Sequence, residues 1–325
     1  MKTFGRNHWR AVMALAAALA LAAPAHAQEM TKVKVGRLTF ASMMTIMTDI
    51  IKDQKLDQKH GVDMELINHG TVAGHYAAYA SGEADLGSGG PLAIQKLRNE
   101  GVPLAAVLTL VRLNSMVVIT ANPQIRTLQD LKGKSMAADM GASEFYILST
   151  YGKTIGLDIG KDISVVQANP ALARTQLHAK RVDAVMTWEP SATLTLGDSK
   201  DNRVILNGDA AWNGLAKNRG WELVVIMRDG FLKQNPQAVA KLQRVFESGA
   251  DFIKTNPDAA DAIAVRTVKL PAGIFKDAVT SGRLQYSVMP AWQDREALQE
   301  MFQIAVKSGY LPKLPDEGAI FRPAP

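Results

Sequence analysis

No cysteine occurs among the 325 residues. A chain without thiols has no disulfide, no thiol nucleophile and no thiolate metal site. Histidine is also scarce, six in all. Of these, His60, His69, His75 and His178 lie beyond the N-terminal stretch, and none has H-E-x-x-H or other metal-ligand spacing. There is no G-x-G-x-x-G and no P-loop. Gly87-Ser88-Gly89-Gly90 is not a G-x-S-x-G elbow, because position 86 is Leu. These absences argue against an enzyme, so no catalytic residue, metal or cofactor is expected. Neither charge sign dominates: the net charge is +6, and Lys2, Arg6 and Arg10 of the N-terminal stretch supply part of the excess. Such a balance points to no nucleic-acid partner and no membrane surface.

One long apolar run is present, the Ala/Leu stretch from Ala11 to Ala23. It is too short to span a bilayer, which needs about 20 residues. It follows Lys2, Arg6 and Arg10 and ends at Ala25-His26-Ala27, the pattern of a secretory signal peptide over residues 1–27, cleaved after Ala27. With no cysteine at that site, a lipoprotein anchor is excluded. A periplasmic protein of a Gram-negative bacterium fits best. About 300 residues remain, enough for two domains.

The stretch around which the chain is organised runs from Asp130 to Leu157. It reads as a strand (Lys134 to Ala138), a loop of Asp139, Met140, Gly141 and Ala142, and a helix with Ser143 as N-cap. A helix starting directly after a strand presents free N–H groups and the positive end of its dipole, a good seat for an anionic oxygen. Upstream, strands at Val33 to Leu38, Val62 to Asn68, Ala84 to Gly87 and Leu104 to Leu110 alternate with helices. The pattern restarts at Met116 to Thr120 and continues through Ile163 to Gln167 and Val182 to Thr187. After Trp221 to Met227 the chain becomes nearly all helical. This alternation predicts an α/β fold of two lobes, each a mostly parallel sheet flanked by helices, joined by two crossing strands. The expected division is residues 28–114 plus 222–325 in lobe I and residues 115–221 in lobe II. In parallel sheets ligands sit beyond the carboxyl ends of the strands. The loops at Phe40 to Met43, Gly87 to Gly90 and Gly141 to Ser143 are such ends.

Three motifs then carry a resemblance. They are Gly82, Asp85, Gly87 and Gly90 as G-x-x-D-x-G-x-x-G; Asp130-Leu131-Lys132-Gly133-Lys134 followed by Gly141-Ala142-Ser143; and Val182 to Ala192, VDAVMTWEPSA. In this order the chain resembles the solute-binding proteins of nitrate, sulfonate, taurine and pyrimidine-precursor ABC importers. The resemblance implies a type II periplasmic binding fold that closes on a small-molecule solute. It also implies a monomer that hands the solute to an inner-membrane ABC permease with a cytoplasmic ATPase. By motif, it assigns ligand-binding roles to Phe40, Ala41, Ser42, Met43, Ser88, Gly89, Gly141, Ala142, Ser143, Trp188 and Glu189. Eukaryotic relatives of the fold make a thiamine pyrimidine with a cysteine-rich segment, which is missing here. The Met- and Ala-rich first loop, with Phe40, Tyr146, Trp188 and Trp212 as pocket candidates, implies a solute body more apolar than a sulfate-like anion.

The residues themselves leave several alternatives. Trp188 either covers the solute or packs the lobes. Glu189 either pairs with a ligand amine or caps a backbone group. Arg112, near the first crossing, either clamps a carboxylate or sulfonate by two prongs or makes a salt bridge. His75 either reaches the cleft or is structural. Arg174 and His178 share a helix face that should be solvated. The expected function is capture of a small anionic or zwitterionic organic solute (a sulfonate, an aromatic carboxylate or a pyrimidine-like compound) for import. The alternatives are a sensor docking on a membrane receptor and, more remotely, a periplasmic hydrolase.

Overall fold

The computed structural model describes residues 30–323, so the expected signal peptide lies outside the described residues. The strands are β1 Thr31–Leu38, β2 Val62–His69, β3 Leu86–Gly89, β4 Leu104–Arg112, β5 Val117–Thr120, β6 Ser135–Ala138, β7 Ser164–Gln167, β8 Ala184–Thr187, β9 Arg203–Asn207 and β10 Trp221–Arg228. The helices are α1 Met43–Asp53, α2 Leu56–Lys59, α3 Val72–Ser81, α4 Pro91–Asn99, α5 Ser143–Thr154, α6 Pro170–His178, α7 Ser191–Gly197, α8 Gly208–Asn213, α9 Asp229–Gln234, α10 Ala238–Thr255, α11 Pro257–Val268, α12 Ile274–Thr280 and α13 Arg295–Lys307. Among the described residues no helix is long and apolar enough to cross a membrane.

The strands form two sheets, ordered β2-β1-β3-β10-β4 and β7-β6-β8-β5-β9. In the first, β1 runs parallel to β2 and β3, and β10 runs antiparallel to β3 and β4. In the second, β6 runs parallel to β7 and β8, and β5 runs antiparallel to β8 and β9. One returning strand in an otherwise parallel sheet is thus the rule of both. The fold is the expected α/β class. The strand β9, RVILN, was not foreseen, because four of its five residues are half-buried and carry no alternation.

Local chemistry explains the main elements. Helix α1 buries nine of its eleven residues, Thr45, Thr48 and Asp49 among them, and Ser42 caps it by accepting from Thr45 N–H at 3.2 Å. Strand β4 lies at a sheet edge, yet it is apolar apart from Thr109 and Arg112 and buried up to Val111. The C-terminal segment covers that edge: Thr109 N–H donates to Met289 O at 2.9 Å and Ser287 N–H to Leu110 O at 2.9 Å. The residues Ala84 to Gly87, expected as a strand before a glycine loop, are displaced. The strand is Leu86–Gly89, and Gly87 and Gly89 lie within it. Gly87 is required there because a Cβ would stand 1.8 Å from the Tyr79 hydroxyl and 2.8 Å from Gly36 O.

Candidate functional site

The two sheets meet along a seam where the start of α5 abuts the start of α4. Gly90 N–H donates to Ser143 Oγ at 2.7 Å, and the Tyr76 hydroxyl lies 3.0 Å from the same oxygen. Beside this junction is a cavity of about 40 Å³. It has room for a few waters at most, whereas organic ligands occupy about 300 Å³ or more. As the halves stand, the cavity has no room for an organic ligand.

Of the residues assigned from sequence, six line this cavity: Ser42, Met43 and Ser88 from the first half, and Ala142, Ser143 and Trp188 from the second. Their local roles differ from expectation. Ser143 is not the N-cap of α5; Ala142 occupies that position, and Ser143 spends its hydroxyl across the seam. Ser42 Oγ is held by the cap and by Thr45 Oγ1 at 2.8 Å. Trp188 is buried on both accounts, packed into the core and facing the cavity.

Six assigned residues lie outside the cavity lining. Phe40 and Ala41 are half-buried and pack against the core. Gly89 sits in β3 against Ile226 and Tyr76. Of the three amides expected to grip an anion, Gly141 to Ser143, two are already used: Gly141 N–H donates to Asp139 Oδ1 at 3.1 Å and Ala142 N–H to Asp139 O at 3.1 Å. Glu189 is a cap, as one of its two readings held. Its Oε2 accepts from Thr193 N–H at 3.1 Å and Thr193 Oγ1 at 2.7 Å, and its Oε1 accepts from Arg283 Nε at 2.9 Å. Arg112 stacks 3.4 Å over the Trp221 ring and pairs with Asp294 at 3.5 Å, beside a separate groove of about 710 Å³. The salt-bridge reading of Arg112 is the one its contacts fit. Trp212 is fully buried away from the cavity, Tyr146 packs against Tyr310, and Arg174 pairs with Asp198.

Several lining residues are not among those assigned by motif. His75 faces the cavity and lies 2.8 Å from Ser88 O, so the ring N–H donates to that carbonyl. Burial pulls its pKa down to about 4, and the ring is neutral at ordinary pH. Tyr76 completes the contact to Ser143. The largest omission is a pair of carboxyls. Glu144, second in α5, lines the cavity. Glu222, second in β10, carries a carboxyl near enough to shift it, and both are buried. Glu222 Oε1 accepts from Ser115 Oγ at 2.6 Å, while its Oε2 has no partner. Burial pushes both acids upward, Glu222 well above the usual carboxylate range; the Glu144 charge adds to the rise of Glu222, and Asp139 to that of Glu144. An acid in the first turn of a helix is commonplace and gave no signal. Glu222 did carry one: it is the single charge inside the apolar run WELVVIM.

Comparison with known proteins places this geometry. The family model described as NMT1/THI5 like matches residues 58–260. A chain of Brucella abortus (strain 2308), named as a binding protein, is 23% identical over 244 residues, covering 74% of this chain and 72% of that one. A chain of Haemophilus influenzae named for thiamine biosynthesis is 31% identical over 140 residues, 42% of this chain and 44% of that one. Among solved structures, the alkanesulfonate-binding protein SsuA from Xanthomonas axonopodis pv. citri, bound to MOPS, superposes with a TM-score of 0.75 at 20% identity. That match covers 90% of this chain and 99% of SsuA. The periplasmic nitrate-binding protein NrtA from Synechocystis PCC 6803 gives a TM-score of 0.69 at 16% identity, covering 90% and 86%. At these identities the structural likeness establishes the two-lobe binding fold.

Proposed function

Because the chain belongs to the NMT1/THI5-like family, we propose that it is the solute-binding component of an ABC-type import system, working as a monomer in the periplasm. It captures a small organic solute between two lobes, residues 28–114 with 222–325 and residues 115–221, and delivers it to an inner-membrane permease coupled to an ATPase. The observation that carries this reading is the seam cavity, lined from both halves. A solute touching Ser42, Met43 and Ser88 on one side and Ala142, Ser143 and Trp188 on the other makes both sets of contacts only when the halves are shut. It therefore binds the closed state better and shifts the population toward it.

The test is a thermal-shift and calorimetric screen of the purified protein against sulfonates, aromatic carboxylates, amines and pyrimidines. At least one class should raise the melting temperature in proportion to the logarithm of its concentration. Trp188→Ala should weaken that solute by about tenfold or more, since a buried aromatic contact is worth about 1.5–3 kcal/mol. A screen in which no small solute shifts the melting temperature overturns the reading.

A further inference from the structure

We infer that the solute presents an uncharged primary amide to the seam. Its carbonyl oxygen accepts from the Ser143 N–H and from a hydroxyl of the Tyr76–Ser143 pair, and its amide N–H donates to the Glu144 carboxyl. This inference rests on the solute-binding reading above and narrows its ligand to one chemical class.

Most polar groups that line the cavity are spent inside the protein. Ser42 Oγ caps α1 and meets Thr45 Oγ1, and the His75 ring N–H goes to Ser88 O. The Ser88 hydroxyl can donate or accept and favours no class of ligand. Three groups remain. Gly90 N–H donates to Ser143 Oγ at 2.7 Å, and the Tyr76 and Ser143 hydroxyls share a further bond at 3.0 Å. Two hydroxyls carry two hydrogens and their mutual bond uses one, so one O–H donor stays free whichever of them donates. Ser143 is also the first residue of α5, a helix of 12 residues, so its N–H has no acceptor within the helix. Among the described residues no other group accepts from it. Glu144 comes next in the chain and is 3% exposed. It is the one acid of the lining, which contains no Lys or Arg.

The three unspent groups are two donors and a carboxyl, held at Ser143 with its Tyr76 partner and at Glu144. A primary amide carries an acceptor oxygen and N–H donors on one carbon, so a single planar group meets all of them. An anion gains the N–H and the dipole of α5 but lies against a buried acid that no cation of the lining balances. A cation pairs with Glu144 but leaves the N–H and the O–H without an acceptor, at the positive end of the same dipole. The arrangement therefore selects against both ions. Leu38, Met43, Val72, Trp188 and Leu223 make up most of the remaining lining and suit an apolar body behind the amide.

The experiment is calorimetry of the purified protein at neutral pH with probes of one skeleton: benzamide, methyl benzoate, benzoate and benzylamine. Benzamide should bind most tightly. Methyl benzoate keeps the carbonyl and lacks the N–H, and should be weaker by about tenfold, the worth of a hydrogen bond to a charged group. Benzoate and benzylamine should be weaker by about tenfold or more. Glu144→Gln keeps an acceptor oxygen and removes the charge, so benzoate should gain about tenfold while benzamide changes much less. The order of the four probes in the parent chain needs no variant, which keeps the test decisive if Glu144→Gln folds poorly. Benzoate or benzylamine binding more tightly than benzamide overturns the inference and leaves solute capture standing. Methyl benzoate equal to benzamide, or a preference unmoved by Glu144→Gln, overturns it too. If the probes fail and the wider screen yields a solute, one without an uncharged amide overturns the inference alone, and one with it supports the inference. Absence of binding by any probe and by the wider screen overturns both.

Discussion

Replacing Gly90 with alanine is expected to weaken solute binding by about 10- to 100-fold while both halves stay folded. A Cβ at this position would stand 2.3 Å from Ser143 Cβ, 2.5 Å from Ser143 Oγ and 3.0 Å from Glu222 O. Real Cβ atoms do not come within 3.0 Å of another heavy atom. The residue's φ is −80°, so alanine suits the backbone and the whole effect comes from the contact. Ser143 Cβ belongs to the first turn of α5 and cannot rotate aside, so the halves must part. The Gly90 N–H to Ser143 Oγ bond lengthens with them. Overpacking of this kind costs about 1–3 kcal/mol, and each 1.4 kcal/mol is a factor of ten in affinity. The cost falls on the closed state, so the melting temperature of the unliganded protein should change much less than the affinity. Small-angle scattering should show a larger radius of gyration for the variant in the presence of solute. Ser143→Gly in the same chain should let the halves close again, returning the radius of gyration with solute toward that of the parent, because it removes the two nearest clashing atoms. Gly141→Ala serves as control, since its nearest contact would be an ordinary 3.5 Å. Unchanged affinity in Gly90→Ala would show that the seam does not have to close at this point.

The difference between what was legible in the sequence and what was not has a physical basis in sequence distance. Alternating strands and helices are local patterns: β1 and β2 are visible as alternations of apolar with charged or polar residues, and β4 as a short apolar run. The fold class follows from them. The site is assembled from pairs far apart in the chain: Gly90 with Ser143, Tyr76 with Ser143, and Glu189 with Arg283. No periodicity reports such pairs. Ser143 illustrates the limit. Its position at a helix start suggested a cap, yet tertiary contact gave its hydroxyl better partners across the seam. Arg112 shows the same effect: its place near a crossing was legible, but the direction of its side chain depends on Trp221, more than a hundred residues on. Glu222 was readable in principle. An acid within a buried apolar strand is expensive, and only a paired proton or a functional need explains it.

Replacing Arg283 with alanine is expected to destabilise the protein by about 2 kcal/mol, with a pH signature of definite sign. Arg283 lies between α12 and the segment that covers β4, so it belongs to the first half, whereas Glu189 follows β8 in the second. Its Nε donates to Glu189 Oε1 at 2.9 Å and its Nη2 to Thr193 Oγ1 at 3.0 Å, tying the halves beyond the cavity. Glu189 is 1% exposed and keeps only Thr193 when the guanidinium is gone. Removing one partner of a buried pair costs about 3–5 kcal/mol; the guanidinium is about a third exposed, and solvent screening reduces this to about 2. Burial already raises the Glu189 pKa, and the Thr193 hydrogen bonds and the Arg283 charge oppose that rise. Without Arg283 the pKa climbs further. A carboxyl whose folded pKa exceeds its unfolded value adds stability below the ordinary carboxylate range and loses it as pH rises through the folded pKa. The deficit of Arg283→Ala should therefore be larger at pH 8 than at pH 5 in urea titrations. Glu189→Gln in the Arg283→Ala background should recover most of the loss at pH 8 and little at pH 5. A deficit independent of pH would mean that Arg283 acts through packing of its side-chain stem alone, and that Glu189 finds another partner when the guanidinium is removed.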